Sequence, residues 1–470
     1  MYRSRCGKDG RVTPDIDVTA DMDVPPTAPG RLPLIGHVVP LLKDRLEFVE
    51  RLRTYGPIVR MSVGLKKVTV VNSHELIHEM LTSKSGSFSK GLLGEKLKLF
   101  GQSALPVAEG EPHLRRRRLL QPAFHRERIS GYVDTMRETV EPSITGWREG
   151  ELLDLRTVMG LMAQDVAMSV LCSFRAEQER ARAILDAVDT VFTAAIWRTM
   201  VPVSSLERLP TRSNQRLKAA RSLLRSEVAD IIAERRAAPD AHDDLVTLLL
   251  EARDETGAPL PDNEILSEII GLLAAGSETT GVMLAWLFHE LGRDPELERR
   301  LHEEVDSVVG EGPITAEHVP QLAFTRRLVS ETLRLHHAGW LVTRQATKPV
   351  RLGQVVLPAG EQVLWSPYAL HRDPALYPDP LRFDPDRWLP ERPQPPRGAF
   401  IPFGSGKRMC IGDAFAWTEA IVITAFIASR WRLRPVPGST VEPVGLLTVH
   451  PSDPRMVAET RQRAVVGTAV

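Results

Sequence analysis

The chain has 470 residues, 43% of them hydrophobic, enough to bury a sizeable core and, by length alone, to fill two or three domains. Its 60 basic and 60 acidic residues cancel to a formal net charge of zero, which excludes the basic footprint of a nucleic-acid binder and leaves any charged surface local. Cys6, Cys172 and Cys410 stand far apart, in no metal-type spacing and with one left over, which argues against a disulfide framework and for a reducing, cytoplasmic compartment. Residues 1–30 are rich in charge, proline and glycine, hold no apolar run of signal or spanning length, and are expected to form a flexible arm. Later apolar runs such as AIVITAFIA at 420–428 fall short of the ~18 residues that cross a bilayer, so no membrane span is expected.

In chain order, 56–72 (GPIVRMSVGLKKVTVVN) alternates β-branched and polar residues around a turn and predicts a hairpin. The run Glu111 to Arg118 opens like a helix with Pro112 in its first turn; four consecutive arginines cannot share a face, but His113 and Arg117 do. Apolar residues recur at spacings of three and four in 179–197, 214–237 and 262–292, so the chain is mainly α. Within the last of these, Ala275-Gly276-Ser277-Glu278-Thr279-Thr280 sets a carboxylate beside hydroxyls in an otherwise apolar helix. Its mediocre helix formers allow a local opening of the hydrogen-bond ladder; the alternative is an ordinary helix whose threonine bonds back to the preceding turn. Glu331 and Arg334 lie on one helical face, where an ion pair can form, and His336 and His337, lacking a third ligand, read as turn residues. The stretch 349–366 again has strand character, so small sheets flank a helical body. Proline then crowds 367–402, a long irregular segment of the kind that usually serves a function, and it leads to PFGSGKRMCIG at 402–412. Glycines there permit close approach of a flat ligand, and a cysteine at the start of the following helix meets N–H groups and a positive dipole end that favour thiolate. The alternative is a buried structural cysteine. No repeat and no separating linker is found, so 31–470 is expected to be one domain.

Phe403, Gly406, Arg408, Cys410 and Gly412 match F-x-x-G-x-R-x-C-x-G, and by this signature the chain from about 30 to 460 resembles the cytochrome P450 family of haem-thiolate monooxygenases. The resemblance implies a mainly α fold with small β-sheets, a triangular helical prism with a smaller β-rich region. It implies haem b (iron protoporphyrin IX) as cofactor, with Cys410 as the iron ligand whose thiolate promotes O–O cleavage, Phe403 near the sulfur, Gly412 closing the signature and Arg408 on a haem propionate. Glu278 and Thr279 resemble the family's acid and alcohol pair for proton delivery. Glu331 and Arg334 resemble its E-x-x-R, which pairs with the arginine of a segment represented here by Pro385, Arg387 and Trp388 as a structural clamp. His113 and Arg117 resemble its propionate-clasping pair, and Arg344 stands in the place of another propionate arginine. Arg115, Arg116 and Arg118 would then form either a basic docking patch for an acidic electron donor or a plain solvated charge run. The chain departs from the family where His336 and His337 replace a proline-containing turn.

Carried over position by position, the family layout puts the substrate pocket among 91–105 (Leu99, Phe100), 192–202, Ala275, 340–342 (Trp340, Leu341, Val342) and 445–448 (Leu446), nearly all apolar and suited to a hydrophobic molecule. Arg198, Lys96 or Lys98 either hold a substrate carboxylate or snorkel to solvent. The segments RTMVPVSSLERLPTRSNQRL and FDPDRWLPER resemble bacterial terpene oxygenases of specialised metabolism, notably sesquiterpene oxygenases. The implied reaction puts one atom of O2 into a C–H bond and the other into water. With no G-x-G-x-x-G after a strand and no cysteine set for an iron–sulfur cluster, electrons are expected from a ferredoxin and its NAD(P)H-dependent reductase. Two other classes compete: a haem-thiolate peroxygenase or isomerase acting on a polyketide, fatty acid or steroid, against which Glu278 and Thr279 argue, and a non-enzymatic haem sensor, for which the sequence shows no output domain.

Overall fold

The computed structural model describes residues 24–200, 207–238, 243–253, 257–446 and 448–461. Most of the arm expected at 1–30, with Cys6, lies outside them. Of its described end, Pro26 to Ala28 pair with the first strand through Arg60 N to Pro26 O (2.7 Å) and Ala28 N to Arg60 O (2.8 Å), so these residues belong to a sheet edge rather than to a loose arm.

The chain begins with α1 (Val38–Lys43) and α2 (Arg45–Leu52), then the hairpin β1 (Ile58–Val63) and β2 (Lys66–Val71) that its alternation foretold, α3 (His74–Leu81), β3 (Phe88–Ser89) and α4 (Gly91–Leu97). The helical body follows as α5 (Gly110–Leu120), α6 (Arg126–Thr145), a short β4 (Leu152–Asp154), α7 (Leu155–Cys172), α8 (Gln178–Met200), α9 (Arg212–Ala237), α10 (Leu245–Glu251), α11 (Asp262–Arg293), α12 (Pro295–Val308) and α13 (Ala323–Leu335). After it come β5 (Val342–Ala346), β6 (Val350–Leu352), β7 (Val355–Leu357), β8 (Gln362–Trp365), α14 (Pro367–Leu370) and the irregular proline-rich stretch. The chain closes with α15 (Asp413–Ala428), β9 (Trp431–Pro435), β10 (Pro443–Gly445), β11 (Val449–Pro451) and β12 (Arg455–Thr460).

The main sheet has the order β1-β2-β8-β5-β3, antiparallel except for β2 against β8. Among the described residues there are three smaller sheets, β4-β12-β9, β10-β11 and β6-β7. The stretch 349–366 therefore does not form one hairpin: β6 and β7 pair with each other, while β8 joins the main sheet.

At 32 residues, α11 is about 48 Å long at 1.5 Å per residue and runs through the helical body. Its residues are buried almost all round, the pattern of a central core helix rather than a surface one. Both α7 and α11 are long and apolar enough to cross a membrane, but 72% and 83% of those apolar windows are buried inside the fold, which accounts for their apolarity. The two helices cross through glycines: a Cβ built on Gly281 would lie 2.7 Å from Gly160 Cα. No side chain fits there, and the absence of one lets the backbones approach.

Gly281→Ala should therefore cost about 1–3 kcal/mol through overpacking. Gly131→Ala, in α6 with nothing within 4 Å of the added carbon, should instead gain about 0.5–1 kcal/mol from helix propensity. Thermal denaturation of the two variants beside the parent checks both signs.

Candidate active site

The loop before α15 is shaped by contacts that only glycine allows. Gly406 has φ +70°, and a Cβ there would sit 2.1 Å from Leu81 O, so the loop packs against the end of α3. Cys410 N donates to Phe403 O at 2.9 Å, which closes the loop, and α15 starts at Asp413 with Gly412 as its N-cap. Phe403 lies 6.1 Å from the Trp417 ring. The Cys410 side chain is exposed. Burial of the surrounding loop nevertheless pushes its thiol up, while the Gly412 N–H and Arg117 pull it down. The thiolate expected from helix position alone is thus not favoured by the protein alone, because desolvation outweighs the dipole; a metal cation held at the sulfur would reverse that balance.

Around this loop the structure gathers the predicted cations and adds one. Arg117 donates to Met409 O at 2.6 Å, Arg408 to Ala108 O at 3.1 Å and to the Glu109 carboxylate, and Arg344 to Thr343 O at 2.8 Å. Lys90 joins them, with its ammonium on the Leu105 and Pro106 carbonyls. Burial, then the charges of Arg408 and Arg344, bring Lys90 down to about 7. Burial, then Arg408, Lys90 and Arg117, bring His113 down to about 4, and burial with Arg408 brings Arg344 down to about 10. Glu109 is the near counterweight. A sulfur donor beside three arginines, a lysine and a histidine whose charged forms disfavour one another fits a flat metal complex carrying two carboxylates, which is the chemistry of haem. Lys90 was missed in the sequence because a single lysine at the junction of a short strand and a short helix carries no spacing signal.

On α11, Ala275 and Thr279 are exposed and Gly276 half-buried while the residues around them are buried, so one face of the helix stands open for one turn. Thr279 Oγ1 donates to Ala275 O at 2.7 Å, the back-bonded form. Glu278 does not share that face. It is buried and turned to β11, where Thr448 Oγ1 donates to its Oε1 at 2.8 Å and His450 Nε2 lies 3.0 Å away. Consecutive helical residues point about 100° apart, so adjacency in sequence did not mean adjacency in space. Burial alone would raise the Glu278 carboxyl; the His450 and Thr448 bonds hold it below its usual range.

Glu331 and Arg334 are both fully buried and paired at 2.7 Å, and Arg387 approaches Glu331 at 3.4 Å. Trp388 Nε1 (2.9 Å) and Asp384 N (3.0 Å) also donate to Glu331, while Arg334 reaches the carbonyls of His371, Pro380 and Arg382. The predicted clamp is present as geometry. His337 reaches Pro402 O (2.9 Å) and Gly339 O (2.7 Å), and His336 stacks on Trp286 at 3.9 Å and bonds Glu290 at 2.7 Å.

Among the expected pocket residues, Leu99 and Phe100 are half-buried, with Phe100 4.4 Å from the Phe192 ring; Val342 and Leu446 are also half-buried. Leu341 is buried in the core beneath the main sheet. Trp340 is not at a pocket surface: it is fully buried, and its indole N–H is bonded to Leu446 O. Val201, Pro202 and Leu447 of the expected loops lie outside the described residues. Neither Lys96 nor Arg198 is free for a substrate carboxylate: both pair with Glu207, at 2.5 and 3.8 Å, and Lys98 pairs with Glu95 at 2.8 Å. The arginine run is also divided. Arg118 is exposed, Arg115 lies 3.7 Å from Glu264, and Arg116 is buried between Glu264 (2.5 Å) and Glu268 (2.8 Å), so it is neither a docking residue nor a solvated charge.

The profile of the family described as "Cytochrome P450" matches residues 25–457, and the chain belongs to that family. It is 39% identical to the cyclooctat-9-en-7-ol 5-monooxygenase of Streptomyces melanosporofaciens over 88% of this chain and 91% of that one. It is 36% identical to the pentalenene oxygenase of Streptomyces avermitilis over 90% and 94%. Among solved structures it resembles the retinoic acid-bound cyanobacterial CYP120A1, with a TM-score of 0.84 and 26% identity over 94% of this chain and 100% of that one. The protein is thus a cytochrome P450 monooxygenase, a haem-iron enzyme that uses O2 and external reductant on hydrophobic substrates.

Glu331→Gln should leave Arg334 and Arg387 facing a neutral group in the core and cost about 3–5 kcal/mol. Chemical denaturation, with haem bound per chain measured in parallel, checks the loss.

Proposed function

We propose that this enzyme oxygenates a neutral cyclic terpenoid in bacterial specialised metabolism. The observation that carries this reading is that the cations at the pocket margin are engaged: Lys96 pairs with Glu207, and Arg198 with Glu207 and Asn214, leaving apolar Leu99, Phe100, Ala275, Val342 and Leu446 to hold the substrate by shape. A fatty acid would want one of those cations. The names of the Streptomyces relatives, built on cyclooctat-9-en-7-ol and pentalenene, describe unsaturated ring compounds and support the same class.

In this reading the cofactor is haem b, held by Cys410 at the iron and by His113, Arg117, Arg344 and Arg408 at its propionates, with Lys90 beside them. When bound, haem supplies the iron at which O2 is activated. Phe403 and Gly412 shape the sulfur's surroundings, Glu331, Arg334 and Arg387 hold the scaffold behind it, and 31–470 forms a single haem domain. Thr279 offers its hydroxyl to the reacting side of α11, and Glu278 is the acid that delivers protons. Electrons come from a ferredoxin and its NAD(P)H-dependent reductase, and the enzyme works in the cytoplasm.

Dithionite-reduced protein under carbon monoxide should show the strongly red-shifted Soret band of a thiolate-ligated haem, lost in Cys410→Ala. Cyclic sesquiterpene and diterpene hydrocarbons and their mono-alcohols should shift the ferric spectrum toward high spin, whereas long-chain fatty acids should not. A shift with fatty acids alone would end the terpenoid reading and leave the haem-thiolate one standing.

A further inference from the structure

Each monooxygenase turnover combines O2, two electrons and two protons with R–H to give R–OH and water, so protons must enter along with electrons. Glu278 is buried, and its carboxyl points away from the open Thr279 face, toward two other elements. From β11 and the residue before it come His450 and Thr448. Thr448 Oγ1 and His450 Nε2 are 2.8 Å apart, and both meet Glu278 Oε1. His450 is itself buried, and Nε2 is the ring nitrogen that faces the carboxylate and is placed to give it a proton. From the other side, α8 brings the Asp189 carboxyl within hydrogen-bonding reach of Glu278. Asp189 is 34% exposed, pairs with Arg156 at 2.5 Å and borders a hollow of about 670 Å³ lined by α8 and α9.

Two carboxyls in contact share one proton rather than ionise together. Glu278 has the donors and keeps the charge. Asp189 keeps the proton: burial, then the charge of Glu278, with a smaller part from Asp186, raise it to about 7 against the pull of Arg156.

We propose that Asp189 and His450 are positioning residues for Glu278: His450, with Thr448, fixes its carboxylate, and Asp189 reloads it with protons drawn from the hollow between α8 and α9. In each transfer the proton leaves Asp189 for a Glu278 oxygen; Asp189 remains as a carboxylate beside Arg156 and regains a proton from solvent. The proposal rests on the reading of Glu278 as the delivering acid. Neither Asp189 nor His450 belongs to a sequence motif that points to this use.

The test uses the haem-loaded full chain, with the reduced carbon monoxide spectrum as the check on integrity. Infrared difference spectra across neutral pH should show, beside the protonated-carboxyl signals of Glu268 and Asp165, a component assigned to Asp189 by subtraction of the Asp189→Asn spectrum, which vanishes as pH rises through about 7, returns in Asp189→Glu and shifts its midpoint in His450→Gln. Turnover driven by a surrogate ferredoxin and reductase, without added terpene, then reads peroxide released per O2 consumed. Glu278→Gln should slow water formation on the order of 10²-fold. Asp189→Asn and His450→Gln should shift product toward peroxide by a smaller factor and enlarge the solvent deuterium isotope effect, with Asp189→Glu restoring the parent ratio. If Glu278→Gln forms water as the parent does, the reading of Glu278 falls and the relay with it. If Glu278→Gln is impaired but the Asp189 and His450 variants are not, or if the parent and Asp189→Asn titrate with the same carboxyl amplitude, the relay alone falls.

Discussion

The carboxylate of Glu331 is the point on which the irregular half of the molecule hangs. It is fully buried, a state that costs several kcal/mol unless every lone pair is used. Here Arg334, Arg387, Trp388 and the Asp384 amide all donate to it. Arg334 in turn spends its remaining donors on the carbonyls of His371, Pro380 and Arg382. A proline-rich chain cannot satisfy these carbonyls within itself, since proline has no amide proton to give. One ion pair on α13 therefore replaces the missing secondary structure of the segment that follows α14.

That support reaches the sulfur in a few steps. The His371 ring accepts from Ile401 N at 3.1 Å, His337 holds Pro402 O, and Phe403 O accepts from Cys410 N. The two histidines that replace a proline-containing turn thus have separate structural work. His337 ties the turn after α13 to the cysteine loop, and His336 is fixed against Trp286 and Glu290 on α11. Far-apart stretches of sequence meet at Cys410 through backbone carbonyls, which no residue pattern announces.

What was legible in the sequence follows from this. The long helices were readable because their periodicity is local, and the α11 span differs from the expected 262–292 by one residue. The cysteine loop was readable because its glycines and its ligand are neighbours in the chain. Side-chain direction was not: Glu278 and Thr279 sit side by side in the sequence and on different faces of α11. Arg116 looked like surface charge because its partners, Glu264 and Glu268, lie on another helix some 150 residues away. Trp340 looked like a pocket residue, but the carbonyl that fixes its indole comes from Leu446, more than 100 residues on. Glu419 did leave a signal, a lone carboxylate inside the apolar run AFAWTEAIVITAFIA, which went unused.

Glu419 and Glu278 show that depth alone does not decide the charge of a buried acid. Both are buried, and they touch consecutive parts of α11: Glu419 of α15 lies close to Thr280, and Glu278 is two residues earlier. Among the described residues neither oxygen of Glu419 makes a full hydrogen bond, and burial pushes its carboxyl well above the usual range. Glu278 has a hydroxyl and an imidazole aimed at one oxygen, and it stays ionised. The difference is the supply of donors, worth more here than the desolvation that both acids share. An ionised acid at Glu278 is ready to accept a proton. One turn of α11 thus carries a charged carboxyl, Glu278, whose donors come from β11 and the residue before it, and packs against a neutral one, Glu419 of α15.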